Sequence, residues 1–405
     1  MSHLGYIEKL LDGVEVEWKK LSEIFNLKNG YTPSKSKKEF WENGQIPWFR
    51  MDDIRENGQI LNDSLQKVSK SAVKGGKLFP ADSIIISTSA TIGEHALVTV
   101  PFLANQRFTN LSLKPAYTNR FNMKFIFYYG FLLAEWCKNN TTVSSFASVD
   151  MNGFRELQIP IPPLNVQAEI VRILDTFTEL TAELTAELTA RQQQYAYYRD
   201  KLLTFEEGEV IWEKLEDVAN FSNGKGHEKD ISTDGRYVVV NSKFISTNGN
   251  AVKYSDKQIC PLFINDILIV MSDLPNGKAL AKTFFVEEDD KYTLNQRIGS
   301  ITVKNNVNLL PKFLCYFLNR TPQLLKYDDG ASQTNLRKGQ IVGVRIPIPP
   351  LSEQKRIVSI LDKFDALTTS LTEGLPREIE LRQQQYEYYR DLLLSFPKPE
   401  VVAHD

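Results

Sequence analysis

Cysteine is scarce here, with only Cys137, Cys260 and Cys315 in 405 residues. They are too few and too scattered for a disulfide framework or a CxxC metal site, which makes a reduced, cytoplasmic protein the expectation. His3, His95, His227 and His404 stand apart, none at metal-ligand spacing from another. No apolar run is long enough to span a membrane; the longest candidate, FIFYYGFLLAEW (125–136), reads as a buried helix. The opening MSHLGYIEKLLDG lacks the basic and apolar regions of a signal peptide. Nor does one sign of charge dominate, since 48 Lys and Arg face 50 Asp and Glu. If the chain binds nucleic acid, its basic groups must cluster on one face, and binding by this chain alone should be weak.

Catalytic motifs are missing too. There is no GxxxxGK[ST], which argues against ATP hydrolysis, and NGKGHE (223–228) lacks the third glycine of a dinucleotide loop, so it reads as a turn. A base-modifying methyltransferase needs a glycine-rich cofactor loop and an Asn/Asp-Pro-Pro-aromatic tetrapeptide. The Pro-Pro pairs here sit instead in IPIPPL. Asp52-Asp53 and Asp328-Asp329 have no lysine at nuclease spacing and read as solvated loops. The chain carries no recognisable active site.

What it does carry is a repeat. IPIPPLNVQAEIVRILDTF (159–177) returns as IPIPPLSEQKRIVSILDKF (346–364), and RQQQYAYYRDKLLTF (191–205) as RQQQYEYYRDLLLSF (382–396). VEWKKLSEI (16–24) answers VIWEKLEDV (210–218), and ANQRF (104–108) answers LNQRI (294–298). Four anchors in one order define a duplicated domain rather than a solenoid. YIEKLLDGVEVEW near the N-terminus also echoes YRDKLLTFEEGEVIW, so the chain starts at the point in the repeat where it finishes. That phasing predicts a circular, pseudo-two-fold object.

Residues 1–158 and 206–345 differ from each other apart from these anchors. Their short β-branched runs, such as DSIIIST, DILIVM and YVVVNS, lie between Gly, Asn and Asp turns and are joined by short helical stretches. Each reads as a mixed α/β globule. The matching segments, 159–205 and 346–405, read as long helices. Ile170, Leu174, Phe177, Thr181, Leu184, Leu188, Arg191, Tyr195, Tyr198 and Leu202 step by alternating fours and threes, a coiled-coil seam with Thr181 and Arg191 as polar interruptions. Proline starts a helix well, which accounts for the IPIPPL preface. A helix over 166–204 would span about 58 Å. The second copy repeats the seam at Ile357, Leu361, Phe364, Tyr386 and Tyr389, but Gly374 and Pro376 should kink or break it. Antiparallel pairing of the two helices would bury both seams and hold the globules apart.

Taken together, these stretches resemble the specificity subunit of a type I restriction–modification enzyme over the whole chain. NGYTPSKSKKEFWENGQIPWFRMDDI (29–54) is similar to that family's G-x-T-P-S…F-W-x-x-G-x-I-P-W opening of a target-recognition domain, and the helical motifs and tandem TAEL (178–190) resemble its type IC branch. The second globule departs from the pattern, with FSNGKGHEKDI in place of NGYTPSKSKKEFW, so its DNA contacts cannot be copied from the first. The resemblance implies a non-catalytic reader of double-stranded DNA, with two target-recognition domains. It implies two methyltransferase subunits docked on the helices, bringing S-adenosylmethionine to methylate adenine N6 within a bipartite site. Motor–nuclease subunits with ATP and Mg would join through them. No cofactor is expected on this chain, nor a membrane partner.

The physics points the same way. Two unlike globules on a spacer suit two unlike half-sites, while repeated helices suit two copies of one partner. The candidate partner and spacer positions are Ile170, Leu174, Phe177, Leu184, Leu188, Tyr195, Tyr198, Ile357, Leu361, Phe364, Tyr386 and Tyr389. For DNA, Lys35, Lys37 and Lys38 form a Ser-spaced basic loop suited to phosphates. Arg50, after IPWF, is placed to reach a guanine edge. Trp41, Trp48 and Phe49 read as core. Arg107 and Arg297 recur within NQR, which suits a shared framework or phosphate role; Lys225, Lys229 and Lys243 are the counterparts in the second globule. Three rival readings stay open. A stand-alone DNA-binding protein would need tight binding without partners, a coiled-coil scaffold would leave the divergence of the globules unexplained, and an enzyme would need the motifs that are missing.

Overall fold

The computed structural model describes residues 4–142, 147–206, 208–227, 229–275, 277–370 and 373–398. His3 and His404 lie outside them. The chain divides into two units, Met1–Ala182 with Leu381–Asp405, and Glu183–Glu380. The expected mixed α/β architecture forms in each.

The first unit opens with helix α1 (Leu4–Leu11) and strands β1 (Glu17–Lys20), β2 (Phe25–Asn29) and β3 (Ile46–Phe49). Helix α2 (Met51–Asn57) leads to strands β4 (Ile60–Leu61), β5 (Ser83–Ser87), β6 (His95–Val98), β7 (Leu103–Ala104) and β8 (Phe108–Leu113). Helix α3 (Met123–Asn139), strand β9 (Gln158–Ile161) and helix α4 (Leu164–Leu203) follow, α4 belonging to the second unit from Glu183 on. The main sheet runs β2-β8-β5-β6-β4. Its central strand is SIIIS without a polar gap because both faces are covered: Ile84 and Ile86 pack with Phe125 of α3, and Ile85 packs with Phe49 and Phe102. A small second sheet pairs β3 antiparallel with Lys67–Val68 and parallel with β7.

His95 on β6 is buried between main-chain carbonyls, its Nε2 3.1 Å from the Phe127 oxygen and its Nδ1 3.4 Å from that of Gly93. Burial pulls its pKa down to about 4. Gly130 on α3 admits this ring, since a Cβ there would lie 2.6 Å from His95 Cδ2.

The second unit repeats the plan. It holds strands β10 (Ile211–Lys214), β11 (Ala219–Asn223) and β12 (Tyr237–Val240), then helix α5 (Ser242–Ser246). Strands β13 (Ile267–Val270), β14 (Thr283–Phe285), β15 (Tyr292–Leu294) and β16 (Ile298–Val303) precede helix α6 (Pro311–Leu318). Strand β17 (Arg345–Ile348) leads into helix α7 (Leu351–Thr369), and helix α8 (Gly374–Leu394) follows, belonging to the first unit from Leu381 on. The sheet order is β11-β16-β13-β14, and β12 runs parallel with β15 as β3 does with β7.

The repeated motifs have matching jobs. Each Trp-containing strand pairs with an IPI strand, Trp18 opposite Pro160 and Trp212 opposite Pro347. The glutamine of IPIPPLxxQ is wholly buried in both units. Gln167 Nε2 donates to the carbonyls of Arg120 (2.9 Å) and Pro162 (2.7 Å), and its Oε1 accepts from Asn122 N–H at 2.8 Å. Gln354 does the same with Asn308, Pro349 and Leu310. The aspartate of ILDxF accepts a tyrosine hydroxyl, Tyr128 to Asp175 at 2.7 Å and Tyr316 to Asp362 at 2.6 Å, with Lys124 and Lys312 beside them. These groups clamp the start of each long helix to its own globule.

The expected break falls where Gly374 and Pro376 place it: α7 ends at Thr369, and Gly374 adopts φ +81°. The end of the chain closes the first unit. Phe396 meets Phe125 at 6.2 Å as Phe205 meets Phe313 at 6.5 Å in the second, and Trp18 Nε1 donates to the Pro397 carbonyl. That is the geometry the permuted phasing anticipates. Among the described residues no helix is long and apolar enough to cross a membrane.

Candidate nucleic-acid interface

In both units the Asn-Gln-Arg turn is the fixed point of an exposed loop cluster. Gly30 N–H donates to Phe108 O and Tyr31 N–H to Ala104 O, while Asn105 N–H reaches Phe49 O at 3.0 Å. In the second unit Gly224 N–H donates to Ile298 O, Lys225 N–H to Leu294 O and Asn295 N–H to Val240 O at 3.1 Å. A Cβ on Gly30 would run into the Ala104 carbonyl, and one on Gly224 into that of Asn295, so close backbone approach requires glycine at both positions.

On this frame the first unit builds an open cleft of about 840 Å³, lined by Lys35, Lys38, Arg50, Arg55 and Arg107 with Glu42 and Asp52. Five cations against two carboxylates give it a positive field suited to phosphates. Among the described residues Arg50 alone of the five makes an ion pair, Nη1 to Asp52 at 3.7 Å. Its guanidinium lies 5.7 Å from the Trp48 ring centre, and its backbone N–H donates to Asp53 Oδ2 at 2.6 Å. Arg50 Nε and Thr91 Oγ1, both on the cleft, are buried polar atoms without a partner. Orphaned donors in a native site call for a ligand or water.

Of the residues singled out from sequence, Lys35, Lys38, Arg50 and Arg107 come together here. Lys37 does not line the cleft; its ammonium sits 5.0 Å from the Phe40 ring centre. Trp48 and Phe49 are core, as expected. Trp41 is half-buried on the cleft wall, edge-on to Trp48, and their indole N–H groups donate to the carbonyls of Ser34 and Tyr31. The two tryptophans thereby pin the Ser/Lys loop. Arg55 was missed; its place on α2, one turn beyond Arg50, was the available signal.

Lys225, Lys229, Lys243 and Arg297 are exposed in the second unit, Lys243 on α5. Here His227 does the pinning. It is fully buried, its Nδ1 2.8 Å from Lys225 O and its Nε2 2.9 Å from Thr293 Oγ1. The turn over 223–227 is thus tied down by a histidine, where the first unit uses indoles.

The helical seam divides in a way periodicity could not disclose. Ile170 and Leu174 are wholly buried in the first globule's core, and Ile357 and Leu361 in the second's. Of the candidate partner and spacer positions, these four therefore serve internal packing at the helix starts. Phe177 stacks on Tyr389 at 5.5 Å, and Phe364 meets Tyr195 and Tyr198 at 6.1 and 5.8 Å, so these too serve helix pairing. Tyr386 is half-buried against the first core; Leu184 and Leu188 are half-exposed. The repeated positions that face outward are Leu164 with Leu351, Tyr197 with Tyr388 and, among the candidates, Tyr198 with Tyr389.

The family model for the type I restriction modification DNA specificity domain matches the chain twice, over residues 13–191 and 209–381. The type I restriction enzyme EcoprrI specificity subunit of Escherichia coli is 46% identical over 412 residues, covering 92% of this chain and 93% of the relative. The EcoR124I/EcoR124II specificity subunit, also of Escherichia coli, is 34% identical over 433 residues and 100% of both chains. Among solved structures, the S subunit of a type I restriction–modification system from M. genitalium aligns with a TM-score of 0.51 at 16% identity, covering 96% of this chain and 98% of its own. A chain from a type I system studied for its complex assembly and conformational transition gives 0.63 at 16% identity, covering 94% and 98%. These two likenesses concern the fold.

Proposed function

The chain belongs to the type I restriction–modification DNA specificity family, with two target-recognition domains, and from that premise we propose that it reads one asymmetric, bipartite site on double-stranded DNA. The observation that carries this reading is one frame built twice with different loops upon it. Asn29-Gly30 and Asn105-Gln106-Arg107 recur as Asn223-Gly224 and Asn295-Gln296-Arg297, whereas the loops that follow Gly30 and Gly224 differ. A shared frame suits backbone contacts common to all DNA, and divergent loops suit different bases.

Two methyltransferase subunits dock on the repeated helices, and motor–nuclease subunits join through them. Support comes from Tyr197 and Tyr388, identical in the repeat, each edge-on to the tyrosine that follows it and each exposed over about half of its surface. S-adenosylmethionine, ATP and Mg belong to those partners, and this chain is the non-catalytic reader. Adenine N6 methylation then reports which sequence it selects.

Residues 178–190, TELTAELTAELTA, act as the spacer ruler. They lie within the uninterrupted helix α4, and none of them belongs to a globule's core. One TAEL adds about 6 Å and about 40° beyond a full turn, against roughly 3.4 Å and 34° for a base pair. Removing or adding one TAEL should change the spacer by about one base pair and leave both half-sites alone. Mapping N6-methyladenine genome-wide, with and without the gene, tests the whole reading. Loss of a single split, asymmetric motif is expected. An unchanged methylome, together with failure of the chain plus its methyltransferase to methylate any split site in vitro, would overturn it.

A further inference from the structure

The two units place different side chains at one equivalent position. Trp48 and Phe49 pair in parallel with Leu103 and Ala104, and Val239 and Val240 with Thr293 and Leu294. The next residue, Arg50 in one unit and Asn241 in the other, therefore stands beside the same Asn-Gln-Arg turn. Around it the frame is common. Asn105 N–H bonds Phe49 O and Asn295 N–H bonds Val240 O; Arg107 O accepts from Thr88 N–H at 2.9 Å and Arg297 O from Met271 N–H at 3.0 Å. The sequence alone hides this equivalence, because IPWFR and YVVVN share no residue.

We infer that this position is a specificity-determining one in each target-recognition domain, Arg50 selecting guanine in one half-site and Asn241 selecting adenine in the other. The chemistry of each side chain fits its base. A guanidinium presents parallel donors that match guanine O6 and N7; an amide presents a donor and an acceptor that match adenine N6–H and N7. Both side chains are held ready. Arg50 is braced by Trp48 and Asp52, with its Nε unpartnered on the cleft. Asn241 Oδ1 accepts Phe244 N–H at 2.9 Å, which fixes the amide plane and leaves Nδ2 and one oxygen lone pair for a base. The common frame accounts for equal depth on the DNA, and the single differing side chain accounts for unequal reading.

The inference rests on the DNA-reading function proposed above, and the test separates the two. The chain is assembled with its methyltransferase subunits, and bound duplexes are selected from a randomised library and sequenced. The Arg50→Asn complex should exchange G·C for A·T preference at one base pair of one half-site. Asn241→Asp keeps the oxygen that caps Phe244 but replaces the donor, so it should move one pair of the other half-site from A·T toward C·G. Each change should be roughly 10- to 100-fold at that pair and leave the opposite half-site unchanged. Motifs that stay the same base for base in both variants would overturn the inference, as would uniform weakening on every sequence, which marks phosphate contacts. A wild-type complex that enriches no split sequence would instead overturn the proposed function itself.

Discussion

Gln167→Met fills nearly the same volume and deletes the polar clamp at the start of α4. Gln167 is wholly buried and satisfies three main-chain groups: the carbonyls of Arg120 and Pro162 and the N–H of Asn122. Each orphaned group costs about 1–3 kcal/mol when water cannot replace the partner. Burial of the apolar methionine offsets part of this, leaving an expected net loss of about 2–5 kcal/mol in the first unit. A chain of two units does not yield one unfolding free energy, so native-state hydrogen exchange is the suitable assay. Peptides spanning 120–126 and 162–170 should lose protection, beginning with the Asn122 amide. Gln354→Met should do likewise at 308–312 and 349–356, where Asn308, Pro349 and Leu310 lose the matching bonds. Protection in 120–126 reduced by less than about 0.5 kcal/mol would refute the clamp, since the three groups would then have found other partners.

Gly30→Ala should push the loop off the Ala104 carbonyl at a cost of about 1–3 kcal/mol, and thermal unfolding together with DNA binding checks it. Tyr128→Phe removes the bond to the Asp175 carboxylate and should cost about 1.5–3 kcal/mol, read as faster exchange across 170–178. Burial holds the His95 pKa at about 4 against an ordinary 6.5, so the unfolded chain binds more protons between those values. Stability should therefore fall as pH drops from 6.5 toward 4, by on the order of 3 kcal/mol in full. A His95→Leu variant should show a flatter Tm-against-pH curve over that window. Arg107→Ala should weaken binding by the assembled complex evenly across sequences and lower the slope of log K against log salt by about one. A changed sequence preference in that variant would refute the framework role.

The sequence by itself determined whatever rests on local chemistry or on comparing the chain with itself. The repeat and its permuted phase, the proline-started helices, the break at Gly374 and the absence of catalytic motifs are all of that kind. Periodicity also showed that α4 has an apolar face. It could not show what covers that face, because 3.5-residue spacing is the same for Ile170 buried in its own globule and for Phe177 stacked on Tyr389. Likewise, a lysine or arginine carries its charge into the sequence but not its neighbours. Lys35 and Lys38 from the loop, Arg50 and Arg55 around α2, and Arg107 after β7 become one cleft only when β3 and β7 pair in parallel. The match of Arg50 with Asn241 lies further from sequence, since the loops before them differ in composition and, beyond Gly44 and Gly235 at the same distance from each, offer little to align. Hydrogen-bond register between strands fixed that match, because a backbone ladder sets position whatever side chains it carries.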